Sequence, residues 1–274
     1  MRRKQRLMEQ AQNAVACFPT VKRYQPHALG GKLVVTLTSY PPRFPTLSAT
    51  LKSVLDQEVR ADHTVLWIAE KDASFLPPEV VALKDHGLEI RTCDDIRSYK
   101  KLIPALEVYP GAWFVTADDD VYYSPKWLKG LVATYLKQRK PVVVANRAHL
   151  ARIDGNGNFV PYRDWEQDTK QLRAHSAETR IFPTGVGGIL YPPTAFASCV
   201  SDRSKFMSLC PYGDDIWFFW MARLVGVEQI LTPSGFDILS WPSSQDVALY
   251  HDNKYNDRND DQILAMQAEF GPVP

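Results

Sequence analysis

The chain has 274 residues, of which 45% are hydrophobic and 23% charged, so it is long enough for one large domain or two small ones with a real core. A net charge of +1 at pH 7 gives no reason to expect nucleic acid as a partner, and the aromatic-and-basic signature of RNA-binding modules is missing. No stretch of about 18 consecutive apolar residues occurs, so the sequence predicts no membrane-spanning helix.

The cysteines show neither a CxxC pair nor a histidine at zinc-finger spacing, which argues against a structural zinc site. They are Cys17, Cys93, Cys199 and Cys210. We expect free thiols, which are typical of a protein in the reducing cytoplasm.

The first 31 residues begin with a basic run and are interpreted as a partly helical extension. Arg2, Arg3, Lys4 and Arg6 lie at the start of the predicted helix. Such a cluster is compatible with a peripheral contact to anionic lipid at the inner face of the cytoplasmic membrane, and also with a solvated helix end. Residues 32–274 are interpreted as one domain, regular up to residue 147 and more irregular from residue 148.

From Lys32 onward, short apolar runs rich in β-branched residues alternate with segments of helical periodicity. Strands are predicted at 33–40, 63–70, 88–95, 112–117 and 141–146, and helices at 46–57, 98–109 and 124–139. Ser124 and Pro125 are predicted as the N-cap and first residue of the last of these helices. The alternation predicts an α/β fold with a single Rossmann-like, mixed but mostly parallel sheet flanked by helices.

The second half is less regular. A turn is predicted in "IDGNGNFVPY", and a glycine-rich loop that leads into a short strand in "FPTGVGGILYPP". The segment "DDIWFFWMARLVG" is apolar on almost every side, so it predicts a buried helix. Residues 256–270 are predicted to form a capped surface helix.

Three adjacent aspartates, Asp118, Asp119 and Asp120, follow the predicted strand "AWFVTA". On an extended backbone the first and third side chains point the same way, and two converging carboxylates suit Mg2+ or Mn2+. An acidic turn that precedes a helix is the alternative. In parallel sheets ligands bind beyond the carboxyl ends of the strands, where other polar residues also follow. These are Thr38, Ser39, Tyr40, Glu70, Asp94 and Asp95.

The order of these motifs resembles the GT-A-fold, nucleotide-sugar-dependent glycosyltransferases. The strand that ends in the three aspartates resembles their DxD motif. "VVTLTSYPPRF" resembles their first strand and nucleotide-binding loop, and is followed by "ATLKSVLDQ". "TGVGGILYPP" is similar to the glycine-rich loop on the acceptor side, and "YGDDIWFFWMA" to the acidic pair that begins the acceptor helix of inverting members. The resemblance covers roughly residues 32–265, and is greatest to the family 2-like bacterial enzymes of surface polysaccharide and lipopolysaccharide synthesis.

The resemblance implies a hexosyltransferase-type enzyme with a donor half up to residue 147 and an acceptor half after it. Its donor would be a nucleotide sugar, UDP-linked by analogy, and its acceptor a glycan or lipid-linked saccharide. Asp118 would lie near the ribose and the metal, Asp120 would contact the metal directly, and His251 is the candidate for a further metal ligand. Nucleotide-sugar contacts are expected from Thr38, Ser39, Tyr40, Arg43, Glu70, Lys101, Asp118 and Asp119.

The acidic pair Asp214 and Asp215 has two interpretations. In the resembling family the second acid is the general base that deprotonates the acceptor hydroxyl, which assigns this role to Asp215 with Asp214 assisting. Either aspartate would also serve as an N-cap of the following helix.

Cations near the predicted strand ends are candidates to stabilise the departing diphosphate. They are Arg43, Lys100, Lys101 and Arg147, of which Lys101 and Arg43 are the preferred pair; each also suits a solvated surface role.

Glycines and aromatic residues complete the candidate acceptor site. Gly185, Gly187 and Gly188 leave backbone without side chains, which suits either ligand approach or a tight turn. Gly187 and Gly188 are expected at the acceptor. Trp165 and Tyr191, and also Trp217, are candidates to stack on a sugar, with core packing as the alternative.

Two other functions are compatible with the motifs. A sugar-phosphate nucleotidyltransferase would be expected to carry a basic, glycine-rich loop after the first strand, where this chain has "TSYPPRFP". A non-catalytic carbohydrate-binding protein would not need Asp118, Asp120 and Asp215 in this order.

Overall fold

The elements of this computed structural model are built from residues 2–242, 244 and 258–273, which it describes. The strands are β1 Gln25–Pro26, β2 Leu33–Thr38, β3 Val59–Arg60, β4 His63–Ala69, β5 Leu88–Cys93, β6 Trp113–Thr116, β7 Val142–Ala145, β8 Ala148–Arg152, β9 Thr179–Pro183, β10 Ile189–Tyr191 and β11 Glu228–Leu231. The α-helices are α1 Arg2–Ala16, α2 Phe44–Leu55, α3 Pro78–Val81, α4 Ile103–Val108, α5 Trp127–Tyr135, α6 Arg203–Leu209, α7 Asp214–Arg223 and α8 Arg258–Phe270.

The central sheet has seven strands among the described residues, in the order β11-β7-β10-β6-β2-β4-β5. β5, β4, β2 and β6 run parallel, as do β7 and β11, while β10 is antiparallel to both β6 and β7. The mostly parallel mixed sheet predicted from the sequence is therefore confirmed. Two smaller pairs, β1 with β3 and β8 with β9, lie outside this sheet.

Helices cover both faces of the sheet because successive side chains of each strand point to opposite sides. In β2, Val34 joins a core that contains α4 and α7, whereas Val35 joins a core that contains α2 and α5. Helix α7 is buried at nearly every position, and Trp217 and Trp220 are among its fully buried side chains. This agrees with its unbroken apolar sequence.

The helix predicted at 124–139 begins later than the Ser-Pro pair indicates. Helix α5 begins at Trp127 with Lys126 at the N-cap. The carbonyl of Ser124 accepts bonds from the Trp127 N–H and the Gln57 side chain, and the carbonyl of Pro125 accepts from the Glu58 N–H. These bonds, two of them from residues that follow α2, hold the Ser-Pro pair in a turn, so the predicted capping roles are wrong.

The helix predicted at 98–109 is divided into two pieces. A 3-10 turn at Arg97–Lys101 precedes α4, and Leu102 between them has φ −132°, outside the helical range. Pro104 lies in the first turn of α4, where its missing N–H is tolerated. The break allows Lys101 to face the sheet edge.

The two terminal helices pack onto the domain. Ala11 of α1 is fully buried against Leu239 and Trp241. In α8, Ile263 and Met266 are buried in the core that contains α7, whereas Leu264 is 63% exposed, so this helix lies on the surface as predicted, with one face packed on the domain. In the part of the chain that the structure describes, no helix has the length and apolar character needed to cross a membrane.

Candidate functional site

Polar residues from three strands meet at the carboxyl edge of the sheet, because the parallel strands β2, β4 and β6 all end there. Ser39 follows β2, Glu70 follows β4, and the three aspartates follow β6. The meeting of these segments, expected from the strand–helix alternation, is the geometric basis of the site.

Each of the three aspartates contacts a different polar side chain, and these contacts offset their mutual repulsion. Oδ1 of Asp118 lies 3.0 Å from Nζ of Lys101. Oδ2 of Asp119 accepts a 2.6 Å bond from the Ser39 hydroxyl. Oδ2 of Asp120 lies 2.5 Å from a guanidinium nitrogen of Arg43, which is 7% exposed.

The charge states of this cluster are strongly perturbed. Burial and the adjacent Asp120 raise the pKa of Asp119 to about 7. Burial also raises the pKa of Asp118, although Lys101 opposes the shift. Burial alone would lower the pKa of Arg43, but the charges of Asp119 and Asp120 raise it above its ordinary value. Excess negative charge at one sheet edge is the pattern that a bound cation relieves.

A second acidic site, at the start of α7, is joined to the first by Lys101. Nζ of Lys101 lies 3.0 Å from Oδ2 of Asp214 as well as from Asp118. The ammonium group is buried, and the surrounding carboxylates raise its pKa well above the ordinary value although burial opposes this. One lysine therefore connects the aspartate triplet with the acidic pair.

Asp215 faces the loop before β10 and does not cap its own helix. The N-cap of α7 is Gly213, and no side-chain capping bond is formed there. Oδ2 of Asp215 instead accepts a 3.0 Å bond from the backbone N–H of Gly185. Burial and the neighbouring Asp214 raise the pKa of Asp215 to about 7. The capping interpretation is wrong for both aspartates, and Asp215 has the pKa of an effective base near neutral pH.

Among the three glycines singled out from the sequence, the one that lies at the carboxylates is Gly185. A Cβ atom there would lie 3.0 Å from Nζ of Lys101 and 3.2 Å from Oδ1 of Asp215. Gly187 and Gly188 serve packing instead. A Cβ would lie 2.7 Å from Arg147 at position 187 and 2.5 Å from the Trp127 ring at position 188, and φ at Gly188 is +85°. Their expected acceptor role is therefore not supported by their environment.

The aromatic candidates for sugar stacking are buried. Trp165 is 4% exposed, packs among Phe159 and Phe182, and donates its indole N–H to the Val160 carbonyl. Tyr191 is 3% exposed, and Trp217 is fully buried. None presents a ring face to a ligand in this structure, so the acceptor role expected of Trp165 and Tyr191 is corrected to core packing.

The remaining nucleotide-site candidates differ in where they lie. Thr38 donates to the carbonyl of Trp67 and joins β2 to β4, while Tyr40 bonds to Arg43 beside the aspartates. Glu70 is exposed at the sheet edge.

Two of the candidate cations are engaged elsewhere. Lys100 pairs with Asp95 at 2.7 Å, and Arg147 donates to Thr184 at 2.7 Å. Lys101 and Arg43 are the two candidate cations that contact the triplet.

Thr50 was not predicted to belong to this site. It is fully buried on α2, and its hydroxyl shares its one proton between the carbonyls of Asp119 at 3.0 Å and Val121 at 3.1 Å. A signal was present in the sequence, since Thr50 interrupts an apolar face formed by Leu47, Leu51 and Val54. A polar residue on such a face requires a buried partner.

The donor set near the triplet suits a hard divalent cation. Asp118 and Asp120 provide carboxylate oxygens, the ligands that Mg2+ and Mn2+ prefer, and the Asp118 side chain is 30% exposed. Within residues 2–242, 244 and 258–273, no three His, Cys, Asp or Glu side chains are grouped closely enough to hold a metal ion. His251, the expected further ligand, lies outside the described residues.

Comparisons with known proteins bear on the fold. No family model and no curated protein sequence matches the chain. Among solved structures it is similar to the mannosyltransferase PcManGT from Pyrobaculum calidifontis in complex with GDP-Man and Mn2+. The TM-score is 0.53 at 13% identity, over 99% of this chain and 73% of that chain.

Two further similarities have lower TM-scores. A fragment of S. aureus TarS has a TM-score of 0.49 at 16% identity, over 74% of this chain and 58% of that chain. The 4-diphosphocytidyl-2C-methyl-D-erythritol synthase of Anaerococcus prevotii has a TM-score of 0.42 at 17% identity, over 85% of this chain and 96% of that chain. With its mixed seven-stranded sheet the chain shares the fold of the mannosyltransferase PcManGT, in agreement with the GT-A fold that its motifs predict.

Proposed function

We propose that this chain is a metal-dependent inverting glycosyltransferase, which transfers a hexose from a nucleotide sugar, UDP-linked by analogy, to a hydroxyl of a glycan or lipid-linked acceptor. The observation that carries the proposal is the environment of Asp215. Its carboxylate lies at the carboxyl edge of a GT-A sheet, is held by the Gly185 N–H, and has its pKa raised to about 7. These are the properties required of a base that removes a proton from a sugar hydroxyl.

Asp215 carries out the proton transfer in this mechanism. The bond from Gly185 fixes Oδ2, which leaves Oδ1 to accept the hydroxyl proton as the acceptor oxygen attacks the anomeric carbon. Burial, together with the neighbouring Asp214, raises the pKa of Asp215. The raised pKa makes the carboxylate a stronger base than an exposed aspartate, yet still ionised in part near pH 7.

Asp118 and Asp120 are the residues that would hold a divalent cation, which when bound supplies positive charge to the departing diphosphate. Arg43 and Lys101 occupy these carboxylates in the structure. With the donor and the metal bound, the charges of Arg43 and Lys101 would add to the stabilisation of the diphosphate. Ser39 and Asp119 fix the loop that follows β2 against the triplet.

The nucleotidyltransferase alternative is less compatible with the first loop. In place of a glycine-rich loop, β2 is followed by a 3-10 turn, Pro41–Arg43, whose arginine is buried against Asp120. The carbohydrate-binding alternative offers no reason for a buried lysine between two acidic sites.

A role in bacterial surface polysaccharide synthesis at the inner face of the membrane forms part of this proposal and rests on the sequence resemblance. The exposed Lys4 and Arg6 of α1 are available for a purely electrostatic contact with anionic lipid, since the apolar side of α1 packs on the protein.

The proposal is tested with a panel of UDP-, GDP-, CMP- and dTDP-sugars, incubated with the purified protein in Mn2+, Mg2+ or EDTA. Release of free nucleotide and a thermal shift are recorded for the wild type and for Asp120→Asn. We expect a metal-dependent response to one donor that is lost in the variant. A folded protein that responds to no donor and no metal would refute the transferase, and release of pyrophosphate from a nucleoside triphosphate and a sugar phosphate would favour the nucleotidyltransferase.

A further inference from the structure

The backbone of the aspartate triplet lies in an irregular segment, yet its carbonyls are held in place by neighbouring elements. After β6, residues 117–120 belong to neither strand nor helix. Three successive carbonyls, those of Asp119, Asp120 and Val121, accept hydrogen bonds from residues far away in the sequence. The position of the carboxylates therefore depends on these donors.

The donors that hold these three carbonyls are called the support of the triplet, and Thr50 and Trp241 form its centre. The Thr50 hydroxyl shares its one proton between the carbonyls on either side of Asp120, and its oxygen accepts a 2.8 Å bond from the indole N–H of Trp241. The backbone N–H of Trp241 donates to the carbonyl of Asp120 at 3.1 Å. Thr50 and Trp241 are fully or almost fully buried, at 0% and 4% exposure. Water cannot easily replace these bonds, so each one constrains the backbone strongly.

The N-terminal helix completes this arrangement. Leu7, Met8 and Ala11 of α1 pack in one cluster with Leu239 and Trp241. The Tyr122 N–H donates to the Leu239 carbonyl at 3.0 Å, which extends the contact to the residues that follow the triplet. Helix α1 lies before the region of family resemblance, so its contact with this support is a property of this chain that the motifs do not predict.

From these contacts we infer that Thr50 and Trp241 are positioning residues for the metal-binding carboxylates of Asp118 and Asp120, and that α1 holds Trp241 in place. The inference rests on the proposed function for the metal, but the hydrogen bonds that carry it belong to the metal-free chain. Partners that orient metal ligands commonly affect metal affinity by roughly 10–100-fold when they are removed.

The test uses four variants of the full chain. Thr50→Val removes the hydroxyl with little change in shape, and Thr50→Ser retains it. Trp241→Phe removes the indole N–H. Trp165→Phe is the matched control, because Trp165 is also 4% exposed and donates its N–H at 2.9 Å, but to a carbonyl outside the site.

Two readouts are measured. Mn2+ affinity is determined by electron paramagnetic resonance of the free ion, with Mn2+ alone and with UDP present. Hydrogen exchange of the Tyr122 and Trp241 amides is followed in EDTA. We expect Thr50→Val and Trp241→Phe to weaken Mn2+ binding roughly tenfold and to accelerate hydrogen exchange at both amides. Thr50→Ser should stay close to the wild type in both readouts. Trp165→Phe should change the melting temperature alone.

The outcomes separate this inference from the proposed function. If Thr50→Val and Trp241→Phe lower the melting temperature as Trp165→Phe does, but leave Mn2+ affinity and exchange unchanged, the positioning role is refuted. If the wild type itself binds no Mn2+, the proposed metal dependence fails, and the exchange of the two amides alone decides whether the support exists.

Discussion

The backbone N–H of Gly185 donates a 3.0 Å hydrogen bond to Oδ2 of Asp215, and this bond joins the loop before β10 to the first turn of α7. The two residues lie 30 positions apart in the sequence. Because Gly185 has no side chain, the loop can approach the carboxylates of Asp215 and Asp118 closely. The contact orients the candidate base, and so its disturbance should affect transfer more than folding.

A methyl group at position 185 should impair activity with little loss of stability. The Cβ of Gly185→Ala would lie 3.0 Å from Nζ of Lys101, so the ammonium group must shift by a few tenths of an ångström while it keeps its carboxylate partners. We expect transfer to fall by on the order of 10–10²-fold, as is common for small displacements of catalytic groups. Steady-state kinetics and thermal melting measure the two effects.

Gly155→Ala is the control for this substitution. No atom lies within 4 Å of the Cβ position at residue 155. Kinetics should be unchanged, and stability unchanged or higher by up to about 1 kcal/mol. Equal kinetic losses in both variants would show that the crowding at Gly185 has no special consequence.

Removal of the Lys101 charge should destabilise the metal-free protein. Lys101→Met leaves Asp118 and Asp214 close together without their shared cation. A buried pair that loses one partner costs on the order of 3 kcal/mol, somewhat less here because the Asp118 side chain is 30% exposed. Urea unfolding in EDTA measures the change in the free energy of unfolding.

Lys129→Met provides the comparison, since the Lys129–Glu58 pair is 43% and 28% exposed. A surface pair of this kind contributes less than about 1 kcal/mol. A loss at Lys101 no larger than the loss at Lys129 would contradict the view that Lys101 neutralises two acidic sites.

The stability of the metal-free protein should depend on the ionisation of Asp215. Its pKa is raised to about 7 in the folded state, from an ordinary value of 3.8, because of burial and Asp214. Between these values the folded state holds a proton that the unfolded state has released. The contribution of the neutral carboxyl is therefore complete below about pH 4 and is lost as the pH rises through about 7.

Asp215→Asn should remove this dependence, because the amide does not ionise. Relative to the wild type, the variant should gain stability between about pH 4 and about pH 7 in EDTA and then level off, as measured by chemical denaturation. Asp261→Asn, which alters an exposed aspartate in the first turn of α8, should show a constant difference. A pH-independent difference for Asp215→Asn would mean that Asp215 is not perturbed.

The elements that could be predicted from the sequence are those with a strong local pattern of apolar and polar residues. Strands such as 33–38 and 113–116 are runs of apolar, mostly β-branched or aromatic residues that end in polar ones, and their parallel arrangement follows from the helices between them. The meeting of Ser39, Lys101 and the aspartates at one edge could be anticipated for the same reason. The GT-A fold was predictable because these motifs occur in a fixed order.

What the sequence could not supply were contacts that arise only in three dimensions. The sequence around Trp165 does not distinguish a residue that stacks on a sugar from one that packs in an aromatic core, and only its burial in the structure decides between the two. Gly187 and Gly188 are needed because Trp127 and Arg147 approach their backbone, which no local pattern reveals. The bond from Trp241 to Thr50 spans 191 positions and has no signal beyond a polar residue on an apolar helix face.

The central claim, that Asp215 is the base of a glycosyl transfer, is tested most directly by separating donor binding from transfer. Wild type, Asp215→Asn and Asp261→Asn are compared with the donor identified in the nucleotide-sugar panel, with binding measured by calorimetry and transfer by release of nucleotide in the presence of acceptor. Asp215→Asn should bind the donor as the wild type does, while transfer falls by about 10²–10⁴-fold, and Asp261→Asn should match the wild type in both. Transfer by Asp215→Asn at the rate of the wild type would contradict the assignment.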